Sequence, residues 1–176
     1  MKEIAKPTKK SFENLVFITF SECAKLERIP ETLFENCPNM KSLYATFYNC
    51  SSIKEIPQNL FKNCTNVEIF AETFTGCTNL TSIPENLFEN CEKAKSFAGT
   101  FYNCTNLNGE PIKLWNEGRE NIDSENGGDA CYYNCKGLNN YNEIPEKWTQ
   151  ETFEIPENPM PVPPYSQGPR PMRPPK

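Results

Sequence analysis

The chain has 176 residues, including nine cysteines, 16 prolines and no histidine, and a formal charge of −5. The length fits one domain, and the lack of histidine excludes Ser-His, Cys-His and His-metal constellations. No apolar stretch approaches the roughly 20 residues of a membrane span, so no membrane insertion is expected.

Charge is unevenly spread. Residues 1–10 hold four lysines against one glutamate, and residues 157–176 hold two arginines and a lysine against one glutamate. The ends are therefore net +3 and +2, which leaves −10 on the body. Phosphate contacts need clustered Lys and Arg, so no nucleic-acid partner is expected. The basic ends suit an acidic neighbour. Residues 1–10 read as a basic arm. They lack an apolar core after their lysines, so they do not read as a secretory signal.

From residue 11 a repeat begins. Cysteines at 50, 64, 77, 91 and 104 are spaced 14, 13, 14 and 13 apart. At the summed period of 27, Ile53, Ile56 and Pro57 lie over Leu80, Ile83 and Pro84. Leu60-Phe61 lies over Leu87-Phe88, and Thr73-Phe74 over Thr100-Phe101. Upstream, Leu26, Ile29, Leu33, Phe34 and Cys37 continue the phase, as do Met40, Leu43, Phe47 and Cys50. Self-similarity at such a period marks stacked supersecondary units. The fold class expected is a right-handed, leucine-rich-repeat-like solenoid with 27 residues per coil. Short parallel strands should line one side, and turns or short helices the other. The solenoid should span residues 11–148, with caps at 11–23 and about 105–148.

Within a coil, Leu80 to Ile83 reads as a short strand ended by Pro84, which lacks a ladder donor. Residues 85–90 read as a helical turn with Pro84 at its start, and Asn90 as a left-handed residue. Phe20, Phe34, Phe47, Phe61, Phe74, Phe88, Phe101 and Trp115 should all be buried.

After Cys104 the repeat decays. Tyr132-Tyr133-Asn134-Cys135 matches Phe101-Tyr102-Asn103-Cys104, so Cys135 is the repeat cysteine. It comes 31 residues on, after a four-residue insertion within residues 116–129. Cys131 reads as an orphan thiol in a loop.

The recurrence of cysteine at one phase reads as a ladder of reduced thiols in the core, because free cysteine behaves as a small buried hydrophobe. The odd count weighs against a disulfide framework. Zinc is disfavoured by the absence of CxxC pairs and histidine. No metal, cofactor or catalytic residue is expected.

Two candidate surfaces recur in phase. Glu27, Arg28, Lys54, Glu55, Thr81, Ser82 and Asn108 flank the inward strand residues and vary in chemistry, as a binding face does; an ordinary solvated strand face is the alternative. Tyr48, Tyr102 and Tyr133 each follow an inward aromatic, with Thr75 in the coil between. Such a stripe binds sugars or proteins, or else packs against the next coil. Residues 149–176 form a Pro-rich extended tail, suited to an aromatic groove. The tail is expected to dock on another chain, with Val162 and Tyr165 as anchors.

The string L-x-x-I-P…F-x-N-C-x-N-L resembles the BspA-like (treponemal-type) leucine-rich repeats of mycoplasmal and gut-bacterial surface proteins. It is carried by Thr73-Phe74-Thr75-Gly76-Cys77-Thr78-Asn79-Leu80, followed by Ile83-Pro84. The resemblance implies a non-catalytic recognition or adhesion surface, with a protein or surface-carbohydrate partner and a cell-surface location. The alternative is a structural component of a larger assembly, such as a bacteriophage virion, anchored through its Pro-rich or basic tail.

Overall fold

The computed structural model describes residues 2–4, 14–116 and 119–151. Its architecture follows from how the backbone donors of the 13-residue half are shared out. In the segment from Leu43 to Cys50, the N–H groups of Thr46, Tyr48 and Cys50 bond carbonyls three residues back, closing three overlapping turns. The N–H groups of Leu43, Ala45, Phe47 and Asn49 instead donate to Ile69, Ala71, Thr73 and Thr75 of the next tier, at 2.8–3.1 Å. The same alternation recurs one tier on. There Phe70, Glu72, Phe74 and Gly76 donate to Ser96, Ala98, Thr100 and Tyr102. Buried backbone polar groups must find partners, and this division satisfies them within and between tiers.

Such turns need left-handed residues. A positive φ at the third position is what a type II turn requires. It occurs at Ala45, Glu72, Gly99 and Ala130, and again at Glu22, Asn49, Gly76, Asn103 and Asn134. Asn90, expected to be left-handed, is not among them; the left-handed asparagines of the repeat, Asn49, Asn103 and Asn134, belong to the 13-residue half, and Asn140 follows it.

The result is a repeat fold held by turns, with little strand. Among the described residues one parallel pair forms, between β1 (Asn108–Gly109) and β2 (Gly137–Leu138), beside isolated bridges such as Ser42–Ile69 and Ile69–Ser96. The strand expected from Leu80 to Ile83 reduces to single ladder bonds, Thr81 N–H to Lys54 O and Asn108 N–H to Thr81 O. Nor do residues 85–90 make a helical turn. Leu87, Glu89 and Cys91 bond three residues back, giving tandem turns. Pro84 supplies the first of those carbonyls, so its missing donor costs nothing there.

The aromatic residues stack from tier to tier. Phe20, Phe47, Phe74, Phe101 and Tyr132 follow one another at 5.4–5.7 Å, with near-parallel rings. Phe34, Phe61 and Phe88 form a second column at 5.7–5.8 Å. Each such pair contributes about 0.5–1.5 kcal/mol beyond its area burial. Two members of the expected buried series are only half-buried, Phe20 and Trp115. Phe20 begins its column, with no ring stacked on its outer face among the described residues. Trp115 meets Tyr132 and Trp148 edge-on and stacks in neither phenylalanine column.

Residues 2–4, read as part of a basic arm, extend the ladder. Glu27 N–H donates to Lys2 O, Glu3 bridges Arg28, and Ile4 joins the core. At the other end, Tyr132 replaces phenylalanine and Cys131 takes the place of the threonines at 46, 73 and 100. Cys131 is thus buried in the ladder, not loose in a loop. The short helix α1 (Glu146–Thr149) closes the stack, where Lys147 and Trp148 accept from Ala130 and Tyr132. Close packing there requires glycine at 128, since any Cβ would overlap the Trp148 indole.

All nine cysteines are free. Five of them donate to the carbonyl of the aromatic residue in the preceding tier: Cys50 to Phe20, Cys77 to Phe47, Cys104 to Phe74 and Cys135 to Phe101 at 3.0–3.3 Å, and Cys91 to Phe61 at 3.9 Å. The thiols are therefore hydrogen-bond donors as well as small apolar fillers. Burial pushes Cys37 and Cys50 up to about 11, and Cys91 and Cys135 up to about 12.

Three outcomes are expected. A thiol reagent at pH 8 should label about one cysteine in the folded protein, half-buried Cys23, and all nine after unfolding without reductant. Because folded thiols ionise later than unfolded ones, stability is complete below the unfolded value of 9.0 and falls as pH rises through 11 and 12. Circular dichroism should record steep alkaline unfolding across that window. Gly128→Ala should lower stability by about 1–3 kcal/mol, the usual cost of overpacking, with a red-shifted Trp148 emission; an unchanged melting curve would refute the close packing.

Candidate functional site

Two faces carry the residues singled out in the sequence. On the first, Glu27, Arg28, Lys54, Glu55, Thr81, Ser82 and Asn108 are all exposed. Backbone bonds hold them in register, since Thr81 receives Asn108 N–H and itself donates to Lys54 O at 3.2 Å. The face is charged at one end and neutral at the other. Glu27 pairs with Lys2 at 3.1 Å, both well exposed, so the pair adds little stability. Toward β1, the Thr81 hydroxyl bonds Lys54 O at 3.2 Å and the Asn108 amide turns to Asn106 O at 3.2 Å. Gly109 and Gly137 flatten this end.

On the second face, Tyr48, Thr75, Tyr102 and Tyr133 occupy one hydrogen-bonded column. Asn49, Gly76 and Asn103 each donate to the next member's carbonyl. Tyr102 and Tyr133 stack at 4.7 Å with their planes 22° apart. Tyr48 stands two tiers from Tyr102. Thr75, in the tier between, is buried and turns its hydroxyl inward to Gly99 O at 2.6 Å. The column therefore has a one-tier gap between aromatic walls. All three tyrosines are half-buried: partly packed between tiers, partly open. Glu151 reaches Tyr102 Oη at 3.4 Å, which places the last described residue on this face.

Sequence reasoning missed Tyr44 and Glu72, which pair across adjacent tiers. Tyr44 Oη donates to Glu72 Oε1 at 3.2 Å. Glu72 is buried with φ +56°, at a column position where the other tiers carry Ala45, Gly99 and Ala130. An acid in a row of small residues is visible in the 27-residue alignment and was the available signal. Burial raises the Glu72 carboxyl, opposed by the Tyr44 hydroxyl, and burial with the nearby carboxylate lifts Tyr44 to about 12.

Neither face resembles a catalytic or metal site. Among the described residues no three His, Cys, Asp or Glu are grouped to hold a metal ion, and no helix is long and apolar enough to cross a membrane. Val162 and Tyr165 lie outside the described residues.

No family model matches the chain, and no curated protein matches it. Among solved structures, the APL1 leucine-rich repeat domain is similar over 64% of this chain and 31% of its own, at 20% identity and a TM-score of 0.44. The TLR13–ssRNA13 complex aligns over 64% of this chain and 27% of its own, at 14% identity and a TM-score of 0.15. The chain thus spans less than a third of either, and neither likeness carries any residue of the two faces across.

Glu72 gives a pH prediction. Its folded value is raised, so the stability it contributes is present below the unfolded 4.5 and is lost as pH rises through the folded value. Glu72→Gln should match the wild-type melting temperature near pH 4 and exceed it by a few degrees at pH 7. A variant that melts lower at pH 7 would show that the carboxylate is held by a stronger contact than Tyr44.

Proposed function

We propose that the chain is a non-catalytic recognition module that binds a protein through the face formed by Glu27, Arg28, Lys54, Glu55, Thr81, Ser82 and Asn108. One observation carries this reading. All seven side chains are exposed at matching positions of successive tiers, and their chemistry changes along the row while the inward residues stay apolar. Stacked repeats characteristically recognise partners this way, the core setting the spacing and the variable positions setting the specificity. The charged end suits a partner with mixed charge, and the flat end with Gly109 and Gly137 suits close backbone approach.

The fold that goes with this reading is a right-handed solenoid of 27-residue coils. The resemblance to BspA-like repeats favours adhesion at a bacterial surface over a structural part of a virion.

The test is photo-crosslinking in an extract of the source cell. A benzophenone amino acid is placed at Thr81, or at exposed Glu89 in the turns as a control. One protein captured at Thr81 but not at Glu89, and lost when Lys54→Glu and Glu55→Lys are combined, is the expected result. The charge swap should leave stability within about 0.5 kcal/mol, as for exposed sites generally. Equal capture at both positions, or capture that survives the swap, overturns this face as the binding surface.

A further inference from the structure

The gap in the tyrosine column has the shape of a proline receptor. Parallel tiers lie about 4.8 Å apart, so Tyr48 and Tyr102, two tiers apart, are separated by about 10 Å. Subtracting the thickness of the rings leaves roughly 6 Å, room for a pyrrolidine ring between aromatic walls. Buried Thr75 lies in the tier between, and the Tyr44 hydroxyl bonds Glu72 from one tier to the next. Aromatic-walled slots with a few hydroxyl donors bind polyproline helices, because such a helix is already extended and loses little entropy on docking.

The occupant is indicated by the sequence that follows Glu151. Glu151 is the last described residue, and its carboxylate contacts Tyr102. The 25 residues that follow include Ile155-Pro156 and Pro159-Met160-Pro161-Val162-Pro163-Pro164-Tyr165. A polyproline helix rises about 3.1 Å per residue, so fewer than ten residues span the distance from Glu151 to Tyr48. Charge agrees: Arg170, Arg173 and Lys176 belong to the tail, whereas Glu72 and Glu151 belong to the slot's surroundings.

We infer that the slot between Tyr48 and Tyr102 receives the Pro-rich segment 155–165 of the same molecule. Another copy's tail fits the same chemistry, and the sequence alone points to docking on another chain. The contact of Glu151 with Tyr102 favours the same molecule, since a short tether holds its end at roughly millimolar effective concentration. The inference is independent of the proposed partner face, which lies in the other half of each repeat.

The experiment uses the full-length protein with a benzophenone amino acid at Val162. After irradiation, peptide mapping should place the cross-link within residues 44–48, 72–75 or 98–102, and the product should migrate as a monomer. Thr75→Tyr fills the slot with the residue that the same column already carries in other tiers, so the fold accommodates it. That variant should reduce the slot cross-link at least tenfold with the melting temperature nearly unchanged. Tyr102→Phe should keep the cross-link, because the ring and its stack on Tyr133 remain. A cross-linked dimer, a cross-link elsewhere on the body, or a yield unaffected by Thr75→Tyr overturns the inference.

Discussion

The structure depends on hydrogen bonds between tiers. Each peptide group of a column accepts from the tier before and donates to the tier after. Phe20 N–H meets Thr46 O, Phe47 N–H meets Thr73 O, Phe74 N–H meets Thr100 O, and Phe101 N–H meets Cys131 O. Columns two residues apart run the same way, so their N–H groups all point toward the C-terminal end. Dipoles aligned head to tail add, as they do along a helix. One tier alone leaves half of these groups unpaired, which is why the repeat has meaning only as a stack.

Several side chains are chosen by that ladder. The hydroxyls of Thr46, Thr73 and Thr100 bond a carbonyl three residues back and another in the preceding tier, so a buried polar group is doubly satisfied. The cysteine thiols do the same for the aromatic carbonyls. Alanine would fill much of that space without donating, and valine would crowd the turn. Asparagine amides fasten the outer turns: Asn63 to Glu35 O, Asn66 to Pro38 O and Asn90 to Lys62 O. Composition that looks like a disulfide framework is thus explained by backbone satisfaction.

A rigid stack leaves its surfaces free to vary. The exposed row from Glu27 to Asn108 changes residue by residue over a constant core. The tyrosine column changes differently, through the omission of one aromatic at Thr75. The gap exists only because the other tiers keep their rings. Glu72 departs from its column in charge and burial of that charge, while its positive φ is shared by Ala45, Gly99 and Ala130. A left-handed conformation costs a non-glycine residue about 1–2 kcal/mol, and the preceding and following tiers use alanine and glycine at that place.

The sequence by itself determined the repeat, its phase, the inward residues apart from half-buried Phe20 and Trp115, and the free state of the cysteines. These depend on periodicity, and a 27-residue recurrence of Phe, Leu and Cys states it directly. Cys135 was legible as the repeat cysteine because Tyr132-Tyr133-Asn134 precedes it. The ladder's carriers were not legible. Leu80 to Ile83 has strand composition and residues 85–90 have helical composition, but propensity is a weak guide where tier-to-tier bonds decide the backbone. The left-handed sites split between asparagine, glycine, alanine and glutamate, so no single residue type marks them. Only the tertiary structure paired Tyr44 with Glu72, turned Thr75 inward and brought Glu151 to Tyr102. Those contacts join residues 24 to 49 apart in sequence. Side-chain direction within a tandem turn follows from φ signs that the residue types do not announce.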